Sequence, residues 1–302
     1  AALDVFDGIS EALEEDYREP TPTGINGIDN LLDGGLAKGE IGVFLAPTGV
    51  GKTTVLTRVA NTAYNLGFNV LQIFFEDNPK VIQRKHITCW TEIPQRKQVE
   101  RKEEVLEKIT KYKERGKLIL EKLPSDRITI NAIKNKIRKL MAEGNKFDMV
   151  LIDYIDCVVP DRGFSDEWKG EGLVMRQFET MCNEFNVVGW TAAQGNRTSI
   201  SSEVVTNDMM GGSIKKAQVG HVIISIAKTL QQKELGLATI AITKSRIGKD
   251  GVVFENCKFD NELLTIDTEQ SQTLLDLEHN REQRNAQRVR DALARREQQI
   301  NQ

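Results

Sequence analysis

The stretch Ala46-Pro47-Thr48-Gly49-Val50-Gly51-Lys52-Thr53-Thr54 sets two glycines, a lysine and a hydroxyl at the spacing of a phosphate-binding loop. In that pattern backbone N–H groups point inward at phosphate oxygens, the lysine reaches the β/γ-phosphates, and the hydroxyl after it holds Mg²⁺. The pattern asks for glycine at its first position, where Ala46 stands. Alanine loses only the easiest access to positive φ and can still take an ordinary turn conformation. Ala46 to Thr54 are therefore read as a nucleotide cradle, with Lys52 on phosphate and Thr53 on the metal.

Two further stretches supply carboxylates. "MVLIDY" (149–154) ends four apolar residues in Asp153, at the carboxyl end of a strand, where open α/β sheets bind ligands. Asp153 is the expected second contact to Mg²⁺, through water. "FFED" (74–77) sets Glu76 just after another strand candidate, where a carboxylate can orient and deprotonate an attacking water. Asp77 competes for that role, and a solvated acidic pair is the plain alternative.

"WTAAQGNR" (190–197) ends a strand in Gln194, an amide able to sense a γ-phosphate; a polar strand end reads almost as well. "TKSRIGKDG" (243–251) places Lys244 and Arg246 just past a strand and before a glycine turn. A Lys-x-Arg pair there could reach phosphate as an arginine finger. On residue types alone, a solvated basic loop is the simpler reading.

These residues must be held by a sheet. Strand-like runs occur at 41–46, 69–75, 117–122, 148–153, 187–193, 221–226, 238–243 and 252–259. Helical stretches separate them: Thr54–Leu66, a stripe of Val105, Leu106, Ile109 and Tyr112, and another of Ile130, Ile133, Ile137, Leu140 and Met141. Near-continuous apolar strands alternating with helices predict an α/β fold with a mostly parallel sheet covered on both faces. Ahead of this, Leu3, Phe6, Ile9 and Leu13 make an apolar stripe at helical spacing, closed by Pro20-Thr21-Pro22. The expected organisation is a linker helix and proline linker at 1–22, an ATPase domain at 23–268 and a charged helical or disordered tail at 269–302.

Composition narrows the classes. A chain of 302 residues with net charge −3 is no globally basic nucleic-acid coat, so any such contact must come from local loops. Cys89, Cys157, Cys182 and Cys257 are far apart and show no metal-ligand spacing. A reduced, cytoplasmic protein without a structural metal is expected. No apolar run approaches the roughly 18 residues of a membrane span, and no signal-peptide pattern opens the chain. It begins Ala1-Ala2-Leu3-Asp4, without methionine, as a piece of a longer protein would.

Taken together, "TPTGINGIDNLLDGGLAKGE", the phosphate loop, "FFED", "LIDY", "WTAAQGNR", "NDMMGGSIKKAQVGHVIISI" and "ITKSRIGKDG" resemble the ATPase domain of hexameric replicative helicases of the DnaB type, on a RecA-like P-loop NTPase fold. The more specific parts are Gln194 followed by Asn196-Arg197, then "DMMGGSIKKAQVGHVI", then the Lys-x-Arg pair. Alanine at the first loop position is common in such helicases. The resemblance implies an ATP- and Mg²⁺-dependent DNA helicase acting as a homo-hexameric ring on single-stranded DNA, with primase and a helicase loader as further partners. It implies nucleotide between subunits, Lys52 and Thr53 on phosphate and Mg²⁺, Glu76 as catalytic carboxylate and Asp153 in the Mg²⁺ site. Gln194 then couples nucleotide state to DNA, and Lys244 and Arg246 reach the neighbour's γ-phosphate. The DNA-facing loops match Pro160–Gly172 and Gly195–Gly212, the second offering Asn196, Arg197, Thr198 and Ser199, with Lys215 and Lys216 beyond. Small polar and basic groups of this kind suit phosphate contacts that ignore base sequence. Residues 1–18 match a linker helix that packs on the adjacent subunit.

Two other readings share the nucleotide site. A RecA-type strand-exchange recombinase has the same fold but forms an open filament, and this chain lacks a clear polymerisation segment before its core. A clock-type or signalling ATPase ring would act on protein partners. Single-stranded DNA should stimulate hydrolysis by a helicase and leave a signalling ATPase indifferent.

Overall fold

Strand β1 (Ile41–Ala46) shows how the core is divided. Ile41, Val43 and Leu45 sink into one apolar cluster and Phe44 and Ala46 into another, because successive side chains of a strand face opposite ways. Gly42 is required by a close approach: a Cβ there would lie 2.3 Å from the ring of Trp190, which stacks on Phe44 with centroids 4.8 Å apart. The computed structural model describes residues 4–14, 18–161, 167–195 and 218–269.

The remaining strands are β2 (Val70–Phe74), β3 (Leu118–Lys122), β4 (Met149–Asp153), β5 (Val188–Gln194), β6 (Val222–Ala227), β7 (Leu237–Ser245), β8 (Val252–Asp260) and β9 (Thr265–Asp267). They form one nine-stranded sheet in the order β3-β2-β4-β5-β1-β6-β7-β8-β9. Neighbours from β3 through β6 pair in parallel; β7, β8 and β9 continue the sheet antiparallel. The expected α/β architecture with a mostly parallel sheet is therefore present. The antiparallel extension is additional, and its last strand, β9, is too short to stand out in the chain.

The helices are α1 (Ile9–Glu14), α2 (Asn26–Leu31), α3 (Lys52–Asn65), α4 (Pro79–Thr91), α5 (Lys102–Ile109), α6 (Ile130–Ala142), α7 (Glu167–Phe185) and α8 (Leu230–Leu235). Helix α3 supplies Val55, Leu56, Val59 and Ala60 to the cluster containing Phe44, while Ile130, Ile133 and Ile137 of α6 enter the cluster on the other face. Both faces are thus covered, which suits strands without polar alternation.

Helix α4 has no clear apolar stripe and opens on Pro79. At the first helical position proline costs nothing, since that N–H has no helical partner, and the Asn78 side chain caps the turn by accepting from the Lys80 N–H at 2.9 Å. The helix docks through polar groups instead. His86 Nε2 meets Gln72 Oε1 at 2.8 Å, and Asn61 Nδ2 meets His86 Nδ1 at 3.3 Å. Gln72 Nε2 donates to Thr57 Oγ1, closing a buried network among β2, α3 and α4. Burial holds the His86 pKa down at about 3, so the ring is neutral.

Of the expected linker helix, α1 is described, and Val5, Phe6 and Leu13 around it are exposed. The tail from 270 onward lies outside the described residues, as does the start of the stripe at Leu3. Among the described residues no helix is long and apolar enough to cross a membrane, and no disulfide joins the four cysteines.

Candidate nucleotide site

Parallel strands bring their carboxyl ends to one edge, and there the loop, both carboxylates and Gln194 gather. Ala46 is the last residue of β1, fully buried and paired with Gln194 of β5. It closes the strand run expected at 41–46, where a glycine has nothing to offer. Two positions do need glycine. Gly49 has φ 78° and Gly51 φ 134°, and a Cβ on Gly51 would come within 2.6 Å of both Phe259 and Asn261. The Val50 N–H donates to the Pro47 carbonyl at 3.3 Å, folding the loop back before α3 begins at Lys52.

The loop borders a cavity of about 320 Å³. Thr48, Gly49, Gly51, Lys52, Thr53 and Thr54 form one wall. Glu76 and Asp77 follow β2, Asp153 and Tyr154 end β4, and Lys85 comes from α4. Asn261, in the turn between β8 and β9, closes the site over the loop and donates Nδ2 to the Val50 carbonyl at 3.2 Å.

Burial dominates the electrostatics. It lowers the Lys52 pKa, against the opposing pull of Asp156, Asp153 and Glu76. The Lys52 ammonium lies 5.0 Å from the centre of the Tyr154 ring. Asp153 is 6% exposed, and its desolvation pushes its pKa up to about 6, opposed by a hydrogen bond with the Thr53 side chain. The Tyr154 hydroxyl donates to Glu76 Oε1 at 3.4 Å, and burial raises the pKa of the phenol. Glu76 itself is exposed at the rim.

Gln194 ends β5 beside the loop, and its backbone N–H donates to Asp156 Oδ2 at 2.9 Å. Lys244 and Arg246 lie elsewhere. Lys244 is within β7, not beyond it, and because β7 runs antiparallel its carboxyl end lies beside the amino end of β6. Lys244 pairs with Ile223, and the Arg246 N–H donates to the His221 carbonyl at 2.8 Å. Both residues are thus at the sheet edge opposite the phosphate loop. The Lys244 ammonium donates to the Gln218 carbonyl, and its pKa is lowered by burial and then by Arg246. The expected DNA contacts Asn196, Arg197, Thr198, Ser199, Lys215 and Lys216 lie outside the described residues.

Tyr154, Lys85 and Asn261 escape a reading of the sequence alone. Tyr154 adjoins Asp153, and that adjacency is the one signal that could have found it. Lys85 requires α4, whose polar face hides it. Asn261 has no local signal, because only the sheet order brings β8 back to the loop.

Chemically, the cavity combines a loop at a helix start, two ammonium groups (Lys52 and Lys85), a hydroxyl–carboxylate pair and the rim carboxylate of Glu76. The first three suit a polyphosphate and the fourth a water beside it. Thr53 and buried Asp153, already hydrogen-bonded, are a hard oxygen pair suited to Mg²⁺.

Comparison with known proteins agrees in fold and family. The DNA repair protein RadA of Mycobacterium tuberculosis, in two strains, is 32% identical over 84 residues, covering 27% of this chain and 18% of RadA. The chain therefore spans less than a fifth of the length of these curated relatives. One solved ATPase domain superposes with a TM-score of 0.71 at 16% identity, covering 86% of this chain and 95% of that one. A DnaB-like replicative helicase, solved in a study of its interactions with primase, superposes with a TM-score of 0.71 at 17% identity, covering 88% and 69%. The family of the DnaB-like helicase C-terminal domain matches residues 21–267, most of the chain, and to that family this protein belongs.

Proposed function

We propose that this chain is the motor of an ATP-driven replicative DNA helicase, hydrolysing nucleotide between the subunits of a homo-hexameric ring and moving on single-stranded DNA. Residues 1–22 act as linker, 23–268 as ATPase core and 269–302 as tail. The observation carrying this reading is the separation of Lys244 and Arg246 from the phosphate loop by the length of the sheet. A basic pair so placed serves a γ-phosphate only if another copy presents one, which a closed ring does.

Lys52 and the loop N–H groups bind the β/γ-phosphates, and Thr53 and Asp153 hold Mg²⁺, which when bound neutralises charge on the phosphate oxygens. Glu76 orients the attacking water and accepts its proton. Gln194, hydrogen-bonded through its backbone to Asp156, connects the site to the segment at 196–217, where Asn196, Arg197, Lys215 and Lys216 meet DNA phosphates. Primase and a loader are the partners expected of such a ring.

Family membership over most of the chain favours this reading over strand exchange, since the RadA match extends over only 84 residues. ATPase activity with and without single-stranded DNA, together with strand displacement from a forked duplex, tests the proposal. Stimulated hydrolysis with displacement is expected. Pairing of homologous strands without displacement would favour a recombinase, and indifference to DNA a signalling ATPase.

A further inference from the structure

Tyr154 touches both charged groups that the proposed hydrolysis depends on. Its ring lies under the Lys52 ammonium, 5.0 Å from the centroid, and its hydroxyl donates to Glu76 Oε1 at 3.4 Å. The two contacts use different parts of one side chain: the π face lies against the cation, and the phenol reaches the anion in a long hydrogen bond while also meeting the Cys157 side chain. Tyr154 also lines the cavity, so neither contact draws its partner away from the phosphate position.

Each partner needs such a hold. Glu76 is exposed, on a loop just beyond β2, and ordering its long side chain costs rotamer entropy. Lys52 is partly desolvated, which lowers its pKa, and a polarisable ring lies beside its ammonium. The backbone of Tyr154 is set by its position immediately after β4, the strand between β2 and β5. The ring thus follows the end of β4 directly, while the two groups it touches stand two residues beyond β2 and at the start of α3.

We propose that Tyr154 is a positioning residue for both ends of the reaction: its ring keeps the Lys52 ammonium inside the cavity, and its hydroxyl fixes the Glu76 carboxylate for the attacking water. The inference rests on the assignment of Lys52 and Glu76 to ATP hydrolysis made above.

Two variants separate the contacts. Tyr154→Phe keeps the ring and loses the hydroxyl; Tyr154→Leu loses both. Affinity is read with adenylyl-imidodiphosphate and Mg²⁺, and turnover as ATPase kcat and KM in the presence of single-stranded DNA. Tyr154→Phe should bind the analogue within about twofold of the parent while kcat falls about tenfold, the effect of one lost hydrogen bond to a charged group. Tyr154→Leu should show the same fall in kcat and, in addition, affinity weaker by about tenfold, the scale of a lost cation–π contact. Tyr154→Met supplies a second non-aromatic side chain if the leucine protein does not fold.

Parental kcat in Tyr154→Phe would overturn the hydroxyl role. Equal affinity in the Phe variant and the folded non-aromatic variant would overturn the ring role. A Glu76→Gln control keeps the levels apart. If it is inactive while Tyr154→Phe behaves as the parent, the inference alone falls. If Glu76→Gln turns over normally, the assignment of Glu76 falls and this inference with it.

Discussion

Arg246 is tied to His221 at the edge of the sheet remote from the phosphate loop. The Arg246 N–H donates to the His221 carbonyl at 2.8 Å, and the His221 N–H donates to the Ile41 carbonyl, at the start of β1, at 2.9 Å. Ala46, where the loop begins, is at the other end of that same strand.

This tie predicts complementation between inactive proteins. Arg246→Ala should bind ATP but lose turnover by roughly 10³-fold or more, the scale of an arginine finger. Glu76→Gln should be equally inactive through loss of the base. Mixed, an Arg246→Ala subunit supplies the loop and Glu76 while its Glu76→Gln neighbour supplies Arg246. ATPase activity should then return in part, once mass measurement has confirmed subunit exchange. No recovery after exchange would place the arginine's action within its own chain or remove it from catalysis.

Asp153 trades stability for chemistry. Its pKa is raised from 3.8 to about 6 by burial, so above pH 6 the fold carries a desolvated charge that the unfolded chain hydrates freely. Asp153→Asn removes that charge while keeping an oxygen to accept from Thr53. At pH 7 the variant should gain stability of about 3 kcal/mol, read by denaturant unfolding without nucleotide. It should also lose Mg²⁺-dependent hydrolysis. A less stable Asn variant would contradict the burial argument.

His86 gives the fold an acid-sensitive joint. Its pKa falls from 6.5 to about 3 because the buried ring resists charging. The unfolded chain therefore takes up a proton as pH drops through 6.5, whereas the folded chain does not until about 3. Stability from this residue is complete above pH 6.5 and is lost as pH falls through that window, by up to about 5 kcal/mol. Unfolding free energies measured from about pH 7 to 4 should fall less steeply for His86→Gln, by about one proton in the slope. Parallel curves would show that His86 does not titrate differently in the two states.

Asn261 holds the loop tip from outside. Asn261→Ala frees the Val50 carbonyl, and Asn261→Asp sets a carboxylate beside it and facing the phosphate cavity. The alanine variant should raise KM for ATP by about threefold, the scale of one neutral hydrogen bond, and the aspartate variant by more. Both should leave kcat within about twofold. Steady-state kinetics check this, and an aspartate variant with parental KM would remove Asn261 from the nucleotide's surroundings.

Much of this arrangement is legible in the chain because its signals are local. The loop, Asp153 and Glu76 each sit at the end of an apolar run, and such runs predict strands whatever the topology. The order of the strands is not legible, so Asn261, 211 residues from Val50, has nothing in the chain to connect it with the loop. Helix α4 is hidden by chemistry: a helix that docks through His86, Asn61 and Gln72 shows no apolar stripe. Ala46 reads both as the end of the 41–46 run and as the first position of the loop motif, and its pairing with Gln194 makes it the end of the ladder.

The antiparallel hairpin of β7 and β8 has a mechanical consequence. Arg246 follows β7 at one end of it and Asn261 follows β8 at the other, about 30 Å apart at the usual rise of a strand. Under the proposed ring, a displacement imposed on Arg246 by a neighbour's nucleotide would pass along this ladder, bulged between Ala238 and Ile240, toward the loop tip that Asn261 holds. In a ring, successive sites would then be joined in series, each lever resting on the next.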